Sequence, residues 1–167
     1  ISFAEKIQTG DNATIHPLSS LSVIEITGSD AKQFLQGQIT CNIDNIAQTN
    51  GSMGAMCSAK GRVITTFFIL KYADAFLLIL PTVMMETVKK RLQLYILRSE
   101  VKLSNADDFF CLIGIRSMKR TEIKLPSKNY QITRFKKNSI IFKWPCQSDR
   151  YLLLAPVQEA IEFGLTQ

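Results

Sequence analysis

Two apolar runs stand almost back to back in the middle of the chain. Residues 62–72 are rich in β-branched and aromatic side chains, residues 75–80 are wholly apolar, and only Ala73 and Asp74 separate them. A connection this short joins antiparallel strands, because parallel strands need a crossover of about a dozen residues. Each run is also far below the roughly 20 apolar residues of a membrane-spanning helix. We therefore expect an antiparallel sheet built around this hairpin.

The segments around the hairpin alternate between the periodicities of strands and helices. Strand patterns occupy residues 22–27, 52–58 and 100–103, and helix patterns occupy residues 30–38 and 81–97. A capping box, Asp30 with Gln33, is expected to begin the first helix. The second helix has apolar residues at the spacing of one helix face, namely Met84, Met85, Val88, Leu92, Tyr95 and Ile96. The order strand, helix, three strands, helix, strand resembles a split β-α-β unit with one added strand.

A polar run at residues 105–108 interrupts this pattern and is interpreted as a boundary. Beyond it we expect strands at residues 109–115, 130–135, 139–144 and 150–155, an ambiguous basic segment at 116–126 that could be a short helix, and a last helix beginning at Pro156. The chain is accordingly divided into an N-terminal arm (residues 1–20), a first half (21–105) and a second half (106–167). This arrangement predicts an α+β protein.

The composition is that of an ordinary globular protein, with 167 residues of which 46% are apolar and 20% charged. The net charge of +6 permits an anionic partner, such as a small molecule with an acidic tail or an RNA, and would also fit simple solubility. No basic segment leads into an apolar one, so no signal peptide is expected. The chain starts at Ile1 and ends in what resembles an incomplete helix, so we expect a piece of a longer protein.

The cysteines and the single histidine form no recognisable ligand set. Cys41, Cys57, Cys111 and Cys146 are scattered without a C-x-x-C pair, and we expect small buried side chains rather than disulfides or metal ligands. His16 has no His or Cys at ligand spacing, which argues against a His-centred metal site or catalytic triad. This cysteine usage indicates a reducing, cytoplasmic compartment.

Polar side chains concentrate between Phe34 and Arg62. The candidate ligand-binding residues are Gln36, Gln38, Thr40 and Asn42, around the end of the first helix, and Lys60 and Arg62, around a tight turn at Gly61. Brought together, they would surround a concave site with neutral hydrogen-bonding groups and two cations, which suits a flat, amide-like heterocycle with an acidic tail. Each amide could equally cap the helix or hold the loop, and exposed cations are common at hairpin turns.

Other kinds of chemistry find little support in the sequence. There is no Gly-rich phosphate-binding loop and no pair of carboxylates near the polar stretch, which argues against general acid–base catalysis by two carboxyl groups. Cys57 could act as a nucleophile if Lys60 lowered its pKa, but a cysteine within a strand is more often part of the packing.

Two motifs resemble the folate-binding YgfZ family, whose members are related to the glycine-cleavage T protein. The motifs are Phe34-Leu-Gln-Gly-Gln-Ile-Thr-Cys-Asn42 and Cys57-Ser-Ala-Lys-Gly-Arg62. The resemblance implies two ferredoxin-like β-α-β-β-α-β halves with antiparallel sheets, as in the folate-binding domain of aminomethyltransferases, and a C-terminal barrel that this chain lacks. It also implies a tetrahydrofolate site in a central channel, for which Gln36, Gln38, Thr40, Asn42, Lys60 and Arg62 are the candidates.

The sequence departs from these families in two places. The Lys-Gly-Cys-Tyr-x-Gly-Gln-Glu signature of the YgfZ family is absent, so its cysteine is none of the four here. The glycine-cleavage T protein has Asp residues where this chain has Thr65 and Thr66. Aminomethyl transfer would then lack its acid–base partner, which argues against a glycine-cleavage enzyme.

The resemblance therefore implies a tetrahydrofolate-binding accessory protein for iron–sulfur cluster assembly or repair, acting indirectly in tRNA modification. Its implied partners are folate and iron–sulfur proteins such as tRNA-modifying enzymes. One alternative is a folate-dependent aminomethyl or one-carbon transferase. A second is an RNA-binding module using residues 89–98 and 116–120, which is disfavoured because no aromatic stacking platform is interleaved with those charges.

Overall fold

The computed structural model describes residues 14–116 and 125–162. These residues form ten strands, three α-helices and two short 3₁₀ turns at Ile43–Asn45 and Thr82–Met84. In chain order the strands and helices are β1 (Thr14–Pro17), β2 (Leu21–Thr27), α1 (Ala31–Gln38), β3 (Ser52–Cys57), β4 (Val63–Tyr72), β5 (Ala75–Pro81), α2 (Met85–Ile96), β6 (Lys102–Asn105), β7 (Phe110–Arg116), β8 (Ile132–Arg134), β9 (Ile140–Lys143), β10 (Arg150–Pro156) and α3 (Val157–Glu162). None of the helices among these residues is long and apolar enough to cross a membrane.

The chain divides into two compact units, and the first is Ser19–Asp107. Its sheet has the strand order β3-β4-β5-β2-β6, and every neighbouring pair is antiparallel. The predicted order of strand, helix, three strands, helix, strand is therefore confirmed. The hairpin of β4 and β5 turns at Ala73, a residue with φ +48, so that Tyr72 pairs with Ala75.

The core of the first unit lies between this sheet and its two helices. Alternate residues of the strands face the helices, since a strand turns successive side chains to opposite faces. The core includes Ile24, Ile26, Leu35, Phe76, Leu78, Leu80, Val88 and Leu92. Full burial of one such side chain contributes roughly 1.5–3 kcal/mol. This packing holds the ends of α1 and α2 against the sheet.

Two details of the helices differ from the prediction. Asp30 precedes α1 but makes no side-chain capping bond; its Oδ2 accepts a hydrogen bond from the N–H of Glu100 at 2.8 Å, so the capping box is wrong. The buried face of α2 consists of Met85, Val88 and Leu92. Tyr95, which we placed in this apolar face, is 47% exposed.

The second unit contains the described residues 14–18, 108–116 and 125–162. Its antiparallel sheet has the order β1-β7-β10-β9-β8. The strand β1 falls within the segment that we treated as an N-terminal arm, and it pairs along β7 from Thr14 to Pro17. Most of the ambiguous segment 116–126 lies outside the described residues. The predicted α+β fold with two antiparallel sheets is confirmed.

The turn between β2 and α1 depends on a glycine. Gly28 has φ +118, and a Cβ built there would lie 1.9 Å from the carbonyl oxygen of Glu100. The same turn carries the bond from Glu100 to Asp30. Close backbone approach at Gly28 thus attaches the start of α1 to the segment that leads into β6.

We expect Gly28→Ala to lower the free energy of unfolding by at least about 2 kcal/mol, because strained backbone alone costs about 1–3 kcal/mol and the new methyl group meets backbone atoms. Gly37→Ala is the matched control, since Gly37 is within α1 and a Cβ there meets nothing within 4 Å. It should raise stability by about 0.5–1 kcal/mol. Urea unfolding followed by circular dichroism measures both; equal effects of the two substitutions would contradict this account.

Candidate functional site

The segment that follows α1 attaches to the edge of the sheet at β3. Thr40 N–H donates to the carbonyl oxygen of Ala55 at 3.0 Å, and the N–H of Ala55 donates to Thr40 Oγ1 at 2.9 Å. The two bonds place the end of α1 beside the last residues of β3. The structure therefore brings together the two halves of the polar stretch between Phe34 and Arg62.

Two of the candidate amides hold the loop after α1. Gln36 Oε1 accepts from the N–H of Ile43 at 2.8 Å, and Asn42 Oδ1 accepts from the N–H of Asp44 at 2.9 Å. Both bonds stabilise the 3₁₀ turn Ile43–Asn45, for which Asn42 is the N-cap. Both side chains are otherwise exposed. Their carbonyl oxygens are thus committed to the backbone of this loop.

The candidate cations lie on the hairpin turn between β3 and β4. The turn is closed by Ser58, whose N–H donates to Arg62 O at 2.8 Å and whose carbonyl accepts from Gly61 N–H at 2.9 Å. Gly61 has φ +74, as its position in the turn predicts. Lys60 and Arg62 are both exposed, and neither forms an ion pair with any described residue.

A cavity of about 230 Å³ opens where the end of α1, the hairpin turn and α2 meet. Gly37 and Gln38 line it from α1, residues 56–59 from β3 and the turn, and Arg91 and Tyr95 from α2. Of the six candidate residues, Gln38 lines the cavity. Gln36, Thr40 and Asn42 hold the adjoining backbone, and Lys60 and Arg62 directly follow the lining residue Ala59. Their assignment as ligand-binding residues stays a prediction.

Sequence reasoning missed Arg91 and Tyr95. In the sequence, Arg91 falls only within the basic run 89–98 of the RNA-binding alternative and Tyr95 within the predicted apolar face, yet both border the cavity. The Nη2 of Arg91 donates to the carbonyl oxygen of Cys57 at 3.3 Å, which draws the side chain across the end of β3. Their spacing of four residues, which places two side chains on one helix face, was the available signal.

Cys41 and Cys57, the two cysteines near the cavity, are free thiols that are partly buried. All four cysteines of the chain are free and partly buried, and Cys57 lines the cavity. A Cβ at Gly54 would lie 2.9 Å from both Cys41 Sγ and the ring of Phe67, so these two side chains fill the space beside Gly54. Burial raises the pKa of the Cys41 thiol, and a backbone hydrogen bond only partly offsets this effect.

Groups for metal binding or carboxylate catalysis do not gather here. No cluster of three or more His, Cys, Asp or Glu side chains suited to a metal occurs among the residues that the structure describes. Thr65 is buried, and its hydroxyl donates to the carbonyl oxygen of Thr66 at 3.2 Å. The polar side chains that do line the cavity include the amide of Gln38 and the guanidinium of Arg91.

Comparisons with known proteins find a matching family model and several relatives of similar sequence. Residues 2–119 match the family model described as the GCVT N-terminal domain. The protein named tRNA-modifying protein YgfZ from Colwellia psychrerythraea is 34% identical over 99 residues, covering 58% of this chain and 31% of that protein. The protein of the same name from Aliivibrio fischeri is 32% identical over 111 residues, covering 66% and 34%. That from Buchnera aphidicola is 27% identical over 154 residues, covering 89% and 48%.

The chain thus spans about a third to a half of the length of these curated relatives. Among solved structures, the glycine cleavage system aminomethyltransferase T from Bartonella henselae matches with a TM-score of 0.75 at 12% identity, over 97% of this chain and 47% of that one. A chain of the heterotetrameric sarcosine oxidase from Corynebacterium sp. U-96 matches with a TM-score of 0.57 at 10% identity, over 90% and 79%. At these identities the structural matches concern the fold alone.

We expect Thr40→Val to lower the free energy of unfolding by about 1 kcal/mol, because it removes the acceptor for the N–H of Ala55. Thr40→Ser keeps the hydroxyl and is the matched control, with a smaller loss. Urea titrations of both variants give the two values. A valine variant as stable as the serine variant would show that this bond contributes nothing to the attachment of α1.

We expect the Cys41 thiol to titrate at higher pH in the folded chain than in the chain unfolded by urea, because burial raises its pKa. The raised pKa keeps the thiol protonated, so stability from this group is present below the unfolded pKa and declines as the pH rises beyond it. Iodoacetamide labelling followed by mass spectrometry of the Cys41 peptide, from pH 7 to 10.5, measures both midpoints. Coincident midpoints would contradict the effect of burial.

Proposed function

This chain belongs to the GCVT N-terminal domain family, and we propose that it binds tetrahydrofolate or a folate derivative as an accessory protein of iron–sulfur cluster assembly or repair. Its role in tRNA modification would be indirect, through iron–sulfur proteins such as tRNA-modifying enzymes. The similarity to proteins named tRNA-modifying protein YgfZ supports this pathway. Direct nucleic-acid binding forms no part of the proposal.

The observation that carries the proposal is the cavity at the end of α1, within the very stretch that resembles the folate-binding family. Its lining offers an amide at Gln38, backbone groups at residues 56–59 and the guanidinium of Arg91, and it includes no carboxylate. Such a surface can hydrogen-bond a heterocycle or an amide and attract an acidic group. The exposed Lys60 and Arg62 add two positive charges beside the lining residue Ala59.

The remaining candidate residues act on this cavity through the backbone. Gln36 and Asn42 hold the 3₁₀ turn after α1, while Thr40 holds the chain against β3. In the proposal they position Gln38, and Lys60 and Arg62 attract the carboxylates of the ligand. A rigid support of this kind reduces the ordering cost of binding.

A folate-dependent aminomethyl or one-carbon transferase is the competing function. Its chemistry needs a group that orients or deprotonates the substrate amine. Thr65 is buried with its hydroxyl donated to a backbone oxygen, and Thr66 carries no ionisable group. We therefore favour binding without aminomethyl transfer, and a methylene-transfer assay with glycine should give no product above the rate without protein.

We expect isothermal titration calorimetry to detect binding of tetrahydrofolate to the purified protein. The double variant Lys60→Gln and Arg62→Gln should bind about 3- to 10-fold more weakly, because each exposed charge contributes about 0.2–1 kcal/mol, and added salt should shrink this difference. Lys102→Gln is the control, since Lys102 is exposed on β6, at the other edge of the sheet from β3.

The absence of heat at millimolar tetrahydrofolate would reject folate binding. If the double variant and Lys102→Gln weaken binding equally, the protein binds folate but Lys60 and Arg62 do not belong to the site. The cellular role requires a separate measurement: deletion should lower an iron–sulfur-dependent tRNA modification, and the wild-type gene should restore it. Full modification without the protein would reject the proposed pathway.

A further inference from the structure

We propose that the cavity binds the p-aminobenzoylglutamate end of the folate, with Arg91 holding a carboxylate and the Tyr95 ring packing against the aromatic group. This assignment rests on the proposed function and names the part of the ligand that the cavity accepts. It also adds two binding residues from α2 that neither motif contains.

The size of the cavity is the first argument. Sites that enclose an entire drug-sized ligand measure about 300–1,000 Å³. The cavity measures about 230 Å³ and therefore encloses one part of a folate molecule, while the remainder extends outside it. The question is which end of the molecule its chemistry selects.

The lining favours an anion over a pterin ring. The pyrimidine edge of a pterin presents neighbouring N–H donors, for which a carboxylate is the best acceptor, and the lining includes no Asp or Glu. The guanidinium of Arg91 and the amide of Gln38 supply side-chain donors in the lining, and a carboxylate is the acceptor that matches a guanidinium best.

Arg91 has the geometry and the free capacity to bind that carboxylate. A guanidinium carries five N–H donors in a planar fork that matches a carboxylate. One of its nitrogens donates to Cys57 O at 3.3 Å. Arg91 belongs to neither of the ion pairs Lys32–Asp44 and Lys143–Asp149, and no carboxylate among the described residues pairs with it. Its bond to Cys57 also fixes the side chain at the cavity before a ligand arrives.

Tyr95 provides the aromatic surface. It lies one helical turn beyond Arg91, and side chains four residues apart share a helix face. The residue is 47% exposed and lines the cavity, so its side chain is accessible to a ligand ring. Packed aromatic rings attract each other beyond the effect of the apolar area that they bury. A ligand with an anion at Arg91 and a ring against Tyr95 is an aromatic acid, as p-aminobenzoylglutamate is.

The test is to titrate the two ends of folate separately by calorimetry. The probes are p-aminobenzoylglutamate and 6-hydroxymethylpterin, each added to the protein, followed by tetrahydrofolate. We expect the first fragment to bind more tightly than the second. Arg91→Gln should weaken the binding of p-aminobenzoylglutamate and of tetrahydrofolate by about 10- to 100-fold, because it removes a charged hydrogen bond. Arg91→Lys should weaken the binding of both ligands less. Tyr95→Ala should weaken the binding of both ligands by about 3- to 10-fold.

The control is Lys90→Gln, which removes one positive charge from the exposed residue beside Arg91, outside the lining. It should leave both affinities within about 2-fold, since solvent and salt screen an exposed charge that makes no contact with the ligand. Thermal melting identifies any variant that is unfolded. If Arg91→Gln proves unfolded, Tyr95→Ala decides, because an exposed side chain can be removed without emptying the core.

The outcomes separate this inference from the proposed function. Tetrahydrofolate bound equally by the wild type, Arg91→Gln and Tyr95→Ala would overturn the assignment and leave folate binding intact. Binding of p-aminobenzoylglutamate that depends on Arg91, without any binding of tetrahydrofolate, would retain the cavity as an aromatic-acid site and reject folate. Tighter binding of the pterin fragment than of p-aminobenzoylglutamate, or no binding of either, would overturn the assignment.

Discussion

The reciprocal hydrogen bonds between Thr40 and Ala55 determine where the end of α1 lies. Ala55 belongs to β3, an edge strand of the sheet in the first unit, and edge strands carry backbone groups with no neighbouring strand to satisfy them. At Ala55 both groups are satisfied by the residue that follows α1 closely in sequence. Loss of this attachment would release the loop after α1 and, with it, the wall of the cavity that contains Gln38.

The same edge is covered by side chains on either side of Ala55. The hydroxyl of Ser52 donates to Met53 O at 3.2 Å, and Arg91 donates to Cys57 O at 3.3 Å. Exposed edges invite pairing with other chains, and native proteins block them in several ways. Thr40 and Arg91 thus have two roles, since the bonds that cover the edge of β3 also hold the walls of the cavity in place. The polar residues between Phe34 and Arg62 therefore affect both the edge of the sheet and the shape of the cavity.

The fold was largely readable from local patterns, whereas the candidate site was readable only in part. The alternation in β4 and β5 and the short turn between them carry the topology within a few neighbouring residues. The missed features join residues distant in the chain: Asp30 with Glu100, β1 with β7, and Arg91 with Cys57. Helix periodicity explains why Tyr95 was assigned to the apolar face, because the pattern continues to the end of α2 where burial does not. The position of Gln38 at the cavity could be anticipated because the motif is local to one helix end, while its role in binding stays a prediction.

A buried cation in the second unit, Lys143, provides a comparison for Arg91. Lys143, in the second unit, is 5% exposed, and its Nζ donates to Ser148 O at 2.9 Å, lies 3.4 Å from Asp149 and sits 4.6 Å from the centre of the Tyr151 ring. Burial, aided by the neighbouring Asp149, raises the pKa of Tyr151, so its ring faces Lys143 as a neutral phenol. A buried charge needs such partners, because desolvation is costly without them. Arg91 is less buried and has one backbone acceptor, so most of its hydrogen-bonding capacity is turned to the cavity and its solvent. That difference distinguishes a cation that completes the packing from one that can still bind an anion.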